Sequence, residues 1–330
     1  MRVVRAFLAA ALSAVVLAGC VDGEDTAKAP AATTLRLDYA YYNPLSLVLR
    51  EQKWLETDLA AKGTTVTWQL SAGSNKANEG LRADVIDIGS TAGAAALVAR
   101  ANGTPIKTID VFSQPEWAAI VVPKASTITA VTGLRGKRIA ATKGTDPYFF
   151  LLRALDEAGL KPADVTVVNL QHADGRTALE RGQVDAWAGL DPLMAQSETD
   201  AGSKLIYRNV AFNSYGVLNA REAFLAAHPD LAQAVVNAYE RARKWITDNP
   251  ADAVALYARE AKISPEVAKR VLTERTKLDV DPVPGDAQRA VFEKILPVLV
   301  ADNNVKSGES ARTALDTLLE PKYASARTTA

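Results

Sequence analysis

Two successive runs in which short apolar segments alternate with amphipathic helical stretches constrain this chain more than any other feature. In the first run, residues 35–39, 66–70, 85–89 and 106–112 read as strands. Residues 45–62, 76–83 and 92–101 read as helices, the last closed by Asn102-Gly103. The second run has strands at 137–141, 165–169 and 184–188, with helices at 147–158, closed by Gly159, and at 175–181. Strand and helix in alternation predict a doubly wound α/β protein, and two such runs predict two lobes. After residues 214–219 the pattern turns helical, with Pro229, Pro250 and Pro265 at or near helix starts, where a missing N–H is harmless. This helical tail is expected to pack back on the first lobe.

Composition narrows the class. The 330 residues carry 38 Lys and Arg against 38 Asp and Glu, without a clustered basic excess of the kind that binds nucleic acid or a membrane surface. Hydrophobic residues make up 48% of the chain, and the single cysteine, Cys20, leaves no disulfide, so stability must come from packed cores. The two histidines, His172 and His228, have no nearby cysteine or histidine, so neither a metal site nor a Cys-His nucleophile is expected, and no cofactor. His172 reads as a loop residue and His228 as the start of the helix at Pro229.

The N-terminus reads as an export signal: Arg2 and Arg5 precede an apolar run over residues 6–16, which is too short to span a bilayer. Leu17-Ala18-Gly19-Cys20 resembles the lipobox of bacterial lipoproteins. The resemblance implies a signal peptide over residues 1–19 and a lipid on Cys20 that holds the protein outside the cytoplasmic membrane, in the periplasm or on the outer face. Residues 20–34 read as a flexible tether, rich in Asp, Ala, Thr and Pro.

Ligands of open α/β sheets sit beyond the carboxyl ends of the strands, so the residues that follow each strand are the candidates for function. Here they are polar, aromatic and turn-forming: Tyr41-Tyr42-Asn43-Pro44, Ser71-Ala72-Gly73-Ser74, Ser90-Thr91-Ala92-Gly93, Ser113-Gln114-Pro115-Glu116-Trp117, Lys143-Gly144-Thr145-Asp146-Pro147-Tyr148, and Trp187-Ala188-Gly189-Leu190-Asp191-Pro192. Several lead into helices, whose free N–H groups favour an anion. Ser90 and Thr91 would add hydroxyl donors, or else merely cap a helix.

Five segments in register resemble one family over nearly all of the exported chain. They are residues 88–93 (IGSTAG), 119–124 (AIVVPK), 134–140 (LRGKRIA), 152–160 (LRALDEAGL) and 182–187 (GQVDAW). The family is the aliphatic-sulfonate branch of the ATP-binding-cassette substrate-binding proteins, related to the taurine, nitrate and thiamine-precursor binders. The resemblance implies a two-lobed type II periplasmic-binding-protein fold, each lobe a doubly wound sheet. Lobe one would comprise residues 35–114 and 215–330 and lobe two residues 115–214, with crossings near 114–118 and 209–215. It further implies a monomer that closes on a sulfonate, passes it to a membrane permease with its ATPase, and catalyses nothing. In the family the anion pocket is lined at positions that here are Ser90, Thr91, Gly144 and Thr145.

The full candidate site adds Tyr42, Asn43, Gly73, Gln114, Glu116, Trp117, Asp146, Tyr148, Trp187 and Asp191. Three of these depart from an anion site, because Glu116, Asp146 and Asp191 would repel a bare sulfonate. If they face the crevice they favour a zwitterion such as taurine, or an amine, whereas Asp146 as a helix cap and Asp191 as a turn residue would leave a plain alkanesulfonate. Rival readings are a receptor for a nitrogenous compound such as a thiamine-precursor pyrimidine, an enzyme on the same fold, and a sensor or adhesion module.

Overall fold

Residues 33–328 are described by the structure, a computed structural model, so the expected signal peptide, Cys20 and most of the tether lie outside the described residues. The first sheet holds β1 (Thr33–Tyr39), β2 (Thr64–Leu70), β3 (Ile88–Ala92), β4 (Ile106–Ser113) and β10 (Gly216–Arg221) in the order β2-β1-β3-β10-β4. The second holds β5 (Ala118–Val122), β6 (Arg138–Ala141), β7 (Thr166–Asn169), β8 (Ala186–Leu190) and β9 (Lys204–Tyr207) in the order β7-β6-β8-β5-β9. In each sheet the first three strands in this order run parallel, and a strand from a distant part of the chain inserts antiparallel: β10 between β3 and β4, β5 between β8 and β9.

Helices between the strands of sheet one are α1 (Pro44–Gln52), α2 (Trp54–Ala60), α3 (Ser74–Arg82) and α4 (Gly93–Ala101). Those of sheet two are α5 (Asp146–Glu157), α6 (His172–Glu180) and α7 (Leu193–Ala201). The tail is helical: α8 (Glu222–Ala227), α9 (Pro229–Asp248), α10 (Pro250–Ala261), α11 (Pro265–Lys269), a π-helical turn at Arg270–Arg275, α12 (Asp286–Ala301), α13 (Gly308–Leu318) and α14 (Lys322–Ser325). As expected, it packs chiefly on sheet one, through α9 against α1 and α13 against α4, while α12 also reaches α5.

Burial on both faces follows from the strand sequences. Along β5, Ile120 and Val122 point into the main core with Phe149 and Phe150 of α5, while Ala119 and Val121 point to a smaller cluster with Leu179 of α6, Trp187 and Met194. A strand apolar on both faces needs helices on both sides of its sheet.

The elements depart from expectation at informative places. The helix expected over 45–62 is broken at Lys53, which takes a left-handed conformation and returns its N–H to Leu49 O. The strand expected over 85–89 lies at 88–92. Val85 is exposed and lies in the loop before β3, and the Asp87 carboxylate accepts from Arg36 and Arg221 at the ends of the central strands. This shift moves Ser90 and Thr91 from a loop into a buried strand. Gly93, next in the chain, lies against the segment that enters β10: a Cβ there would stand 2.3 Å from Ser214 O and 2.5 Å from the Phe292 ring.

Candidate functional site

Beyond the carboxyl ends of β1, β2, β7 and β8 the two sheets face each other across a cleft of about 190 Å³. Sheet one contributes Tyr41, Tyr42, Leu70, Ser71 and Ala72; sheet two contributes Gln171, His172 and Ala173 after β7, and Leu190 to Leu193 after β8. The helices α6 and α7 begin in this lining, and α3 begins two residues after Ala72, so the N-termini of three helices border the space. Their leading N–H groups lack partners within the helix and favour negative charge. The rest of the wall is mostly apolar, as suits a short carbon chain.

His172 is the best-defined polar group of the cleft. It opens α6, which can lie close on β8 because Gly175 has no side chain; a Cβ there would meet the Trp187 indole nitrogen at 2.9 Å. The ring is 2% exposed, and burial pushes the imidazole down to about 3, so it is neutral at physiological pH. Thr142 Oγ1 donates its one proton to Leu170 O at 2.7 Å. Toward His172 Nδ1, 3.1 Å away, it can therefore only accept, so Nδ1 carries the ring proton and Nε2 a bare lone pair. That Nε2 is buried without a partner, as are Asn75 Oδ1 and Gln171 Oε1.

Of the residues expected from sequence, Tyr42 and Asp191 line this cleft, and Gly73 borders it beside His172. Trp117 stands edge-on to Tyr42 with ring centroids 5.8 Å apart. The expected hydroxyl donors are engaged elsewhere: strand pairing and burial fix Ser90 and Thr91 inside sheet one, and Thr145 is buried in the turn that starts α5. Ser90 donates to Asp38 through both N–H, at 2.8 Å, and Oγ. Thr91 Oγ1 donates to Ala92 O and accepts from Asn219 Nδ2 at 2.7 Å. Thr145 Oγ1 donates to Thr142 O at 2.7 Å, beside the positive-φ turn at Gly144. Asn43 caps α1 and reaches Tyr239 OH.

The three carboxylates also have protein partners. Glu116 pairs with Arg208 at 2.6 Å. Asp146 is buried at the start of α5, where it accepts from the Trp117 indole and from Ser214 N–H and hydroxyl. Burial raises its pKa and these hydrogen bonds oppose the shift. Asp191 accepts from Ala195 N and from Arg275 Nη1 at 3.1 Å, while Arg275 Nη2 goes to Glu198. Burial raises the Asp191 carboxyl to about 6 against the pull of Arg275. The repulsion expected of three acids in the crevice is thus relieved by internal donors.

The remaining expected residues lie away from the cleft. Trp187, expected in a loop, is fully buried in β8 beneath α6. Tyr148 points to Asp302 of the tail, and Gln114 lines a separate depression with Tyr215 and Asp279. Sequence reasoning missed His172, Asn75, Gln171 and Arg275. The first and third follow β7 directly, so the rule that selected the other loops applied equally to Leu170-Gln171-His172. Arg275 carries no local signal; its partners are brought to it by the fold. Among the described residues, no group of three or more His, Cys, Asp or Glu side chains is placed to hold a metal ion.

The architecture has close counterparts. The alkanesulfonate-binding protein SsuA from Xanthomonas axonopodis pv. citri, solved with MOPS bound, superposes with a TM-score of 0.78 at 25% identity, over 86% of this chain and 97% of that one. The periplasmic aliphatic sulphonate binding protein SsuA from Escherichia coli superposes with a TM-score of 0.73 at 24% identity, over 87% of this chain and 92% of that one, and so shares the fold. A Bacillus subtilis protein named for aliphatic-sulfonate binding is 29% identical over 71% of each chain. The model of the family described as NMT1/THI5 like matches residues 59–253, and the chain belongs to that family, with a periplasmic-binding-protein fold.

Proposed function

We propose that this protein is the solute-binding receptor of an ATP-binding-cassette importer and captures a small organosulfonate. The observation that carries the reading is the cleft itself. It lies beyond the carboxyl ends of parallel strands in both sheets, with helix N-termini for an anionic head and an apolar wall for a carbon chain. The names of the Bacillus subtilis relative and of the Xanthomonas structure support the same cargo class. The three candidate carboxylates are each held by donors within the protein, which supports binding without catalysis. The division into residues 35–114 with 215–330 against 115–214 belongs to this proposal, as do a monomeric state, export through residues 1–19, lipid anchoring at Cys20, docking on a permease and ATPase, and use of the cargo as a sulfur source.

Thermal unfolding of the purified protein with alkanesulfonates, taurine, nitrate and pyrimidines tests the cargo. A true ligand at about 100 times its dissociation constant stabilises by about 2.7 kcal/mol. Stabilisation by pyrimidines and none by sulfonates would reject the organosulfonate. Cys20→Ala tests the anchor: the variant should move from the membrane to the soluble fraction, and equal retention would reject lipidation.

A further inference from the structure

Sulfonate oxygens only accept hydrogen bonds from an uncharged polar group, so a side chain that offers a bare lone pair is the wrong partner for them. His172 Nε2 is such a group, buried and unmatched, at the border of the cleft. Asn75 Oδ1 lies near the same point: a Cβ built on Gly73 would stand 3.1 Å from His172 Nε2 and 2.8 Å from Asn75 Oδ1, so only glycine fits beside the two unmatched acceptors. The ring cannot readily turn to hide its lone pair, because Thr142 holds Nδ1 and the α6 backbone is seated against Trp187. A buried acceptor held in place with nothing to accept from is unfavourable unless something supplies a donor.

We propose that His172 determines specificity in this cleft by accepting, at Nε2, a hydrogen bond from an N–H or O–H of the cargo. The cargo is then an amino- or hydroxy-substituted organic sulfonate, and a plain alkanesulfonate binds more weakly. This rests on reading the cleft as a sulfonate site. It replaces the three carboxylates as the reason for a donor-bearing cargo, since each of those is matched within the protein. The sulfonate end points away from Nε2, and the carbons between lie along Leu190 and the Tyr41 and Tyr42 side of the cleft.

Calorimetry with ethanesulfonate, 2-hydroxyethanesulfonate and 2-aminoethanesulfonate tests the proposal, alongside pyrimidine and 4-aminopyrimidine as a pair that differs in a donor but lacks the sulfonate. On the wild type the donor-bearing members should bind at least about tenfold tighter than their partners. His172→Leu should erase that gap, and His172→Gln, which restores an acceptor oxygen near the Nε2 position, should recover most of it. A gap that survives in His172→Leu, or no donor-dependent gap in either series, overturns the proposal. A gap confined to the pyrimidines upholds His172 and overturns the sulfonate reading. Imidazole ¹⁵N spectra give an independent readout, with only His172 and His228 to assign. A proton on His172 Nε2 in the free protein, or an Nε2 resonance unmoved by a ligand that binds, also overturns the proposal.

Discussion

The Trp117 indole N–H donates to Asp146 Oδ2 at 2.8 Å, across the first crossing between the sheets. Ser214, on the return crossing, gives the same carboxylate its N–H at 2.9 Å and its hydroxyl. One side chain at the head of α5 therefore ties both segments that connect the two sheets. Asp146→Ala leaves a buried indole N–H and a buried backbone N–H unmatched. The loss should be about 3–5 kcal/mol in urea unfolding, with the order of ligand preference unchanged. A stable variant with altered preference would mean that Asp146 faces the cargo instead.

The Arg275–Asp191 pair predicts a pH-dependent loss. Folding raises the Asp191 carboxyl from 3.8 to about 6, so its contribution is fully present below 3.8 and fades as pH rises through 6. Arg275→Leu removes the cation that opposes the effect of burial, which raises that pKa further and leaves a buried charge at alkaline pH. The variant should be less stable than wild type by about 3–5 kcal/mol at pH 8 and by clearly less at pH 5. Equal deficits at the two pH values in urea unfolding would show that Asp191 is not the group concerned.

These two partnerships mark where the sequence ceases to be readable. Alternation of strand and helix, helix starts at prolines and the two-run organisation follow from patterns a few residues long, and the structure bears them out. Strand β3 was displaced by three residues because Val85 and Ile86 are as apolar as a strand, and the choice is made by pairing with β10, which lies over a hundred residues further on. The same holds at the site. Ser90 and Thr91 look like free donors until Asp38 and Asn219 are brought beside them, and Asp191 looks unpaired until the π-helical turn delivers Arg275 from 84 residues away. His172 is legible by its position after β7, but a lone histidine carries no motif to mark it.

Gly93 offers a test of the close approach between α4 and the return crossing. Its N–H donates to Tyr215 O at 3.0 Å, and an added Cβ would meet backbone at Ser214 O as well as the Phe292 ring. Backbone cannot swing aside as a side-chain tip can, so Gly93→Ala should destabilise by about 1–3 kcal/mol or more. A melting temperature equal to that of the wild type would show that the crossing can shift at no cost.

His172 should be visible in the acid limb of stability. Its imidazole falls from 6.5 to about 3 on folding because burial disfavours the charged ring. The unfolded chain thus binds a proton that the folded protein refuses, and the contribution is fully present above 6.5 and lost as pH falls toward 3. Each pH unit in that window removes about 1.36 kcal/mol, or about 2 kcal/mol between pH 6.5 and pH 5. Asp38 and Asp110, raised by burial to about 7, and Asp191, raised to about 6, act in the opposite sense, since the folded state holds their protons more tightly. Their effects are common to wild type and to His172→Gln, which cannot titrate, so the difference between the two stability curves isolates the ring. Urea unfolding at pH 7 and pH 5 should show wild type losing about 2 kcal/mol more than the variant. Parallel curves would mean that the ring is already charged in the folded protein, and Nε2 would then be a donor with no lone pair to offer a cargo.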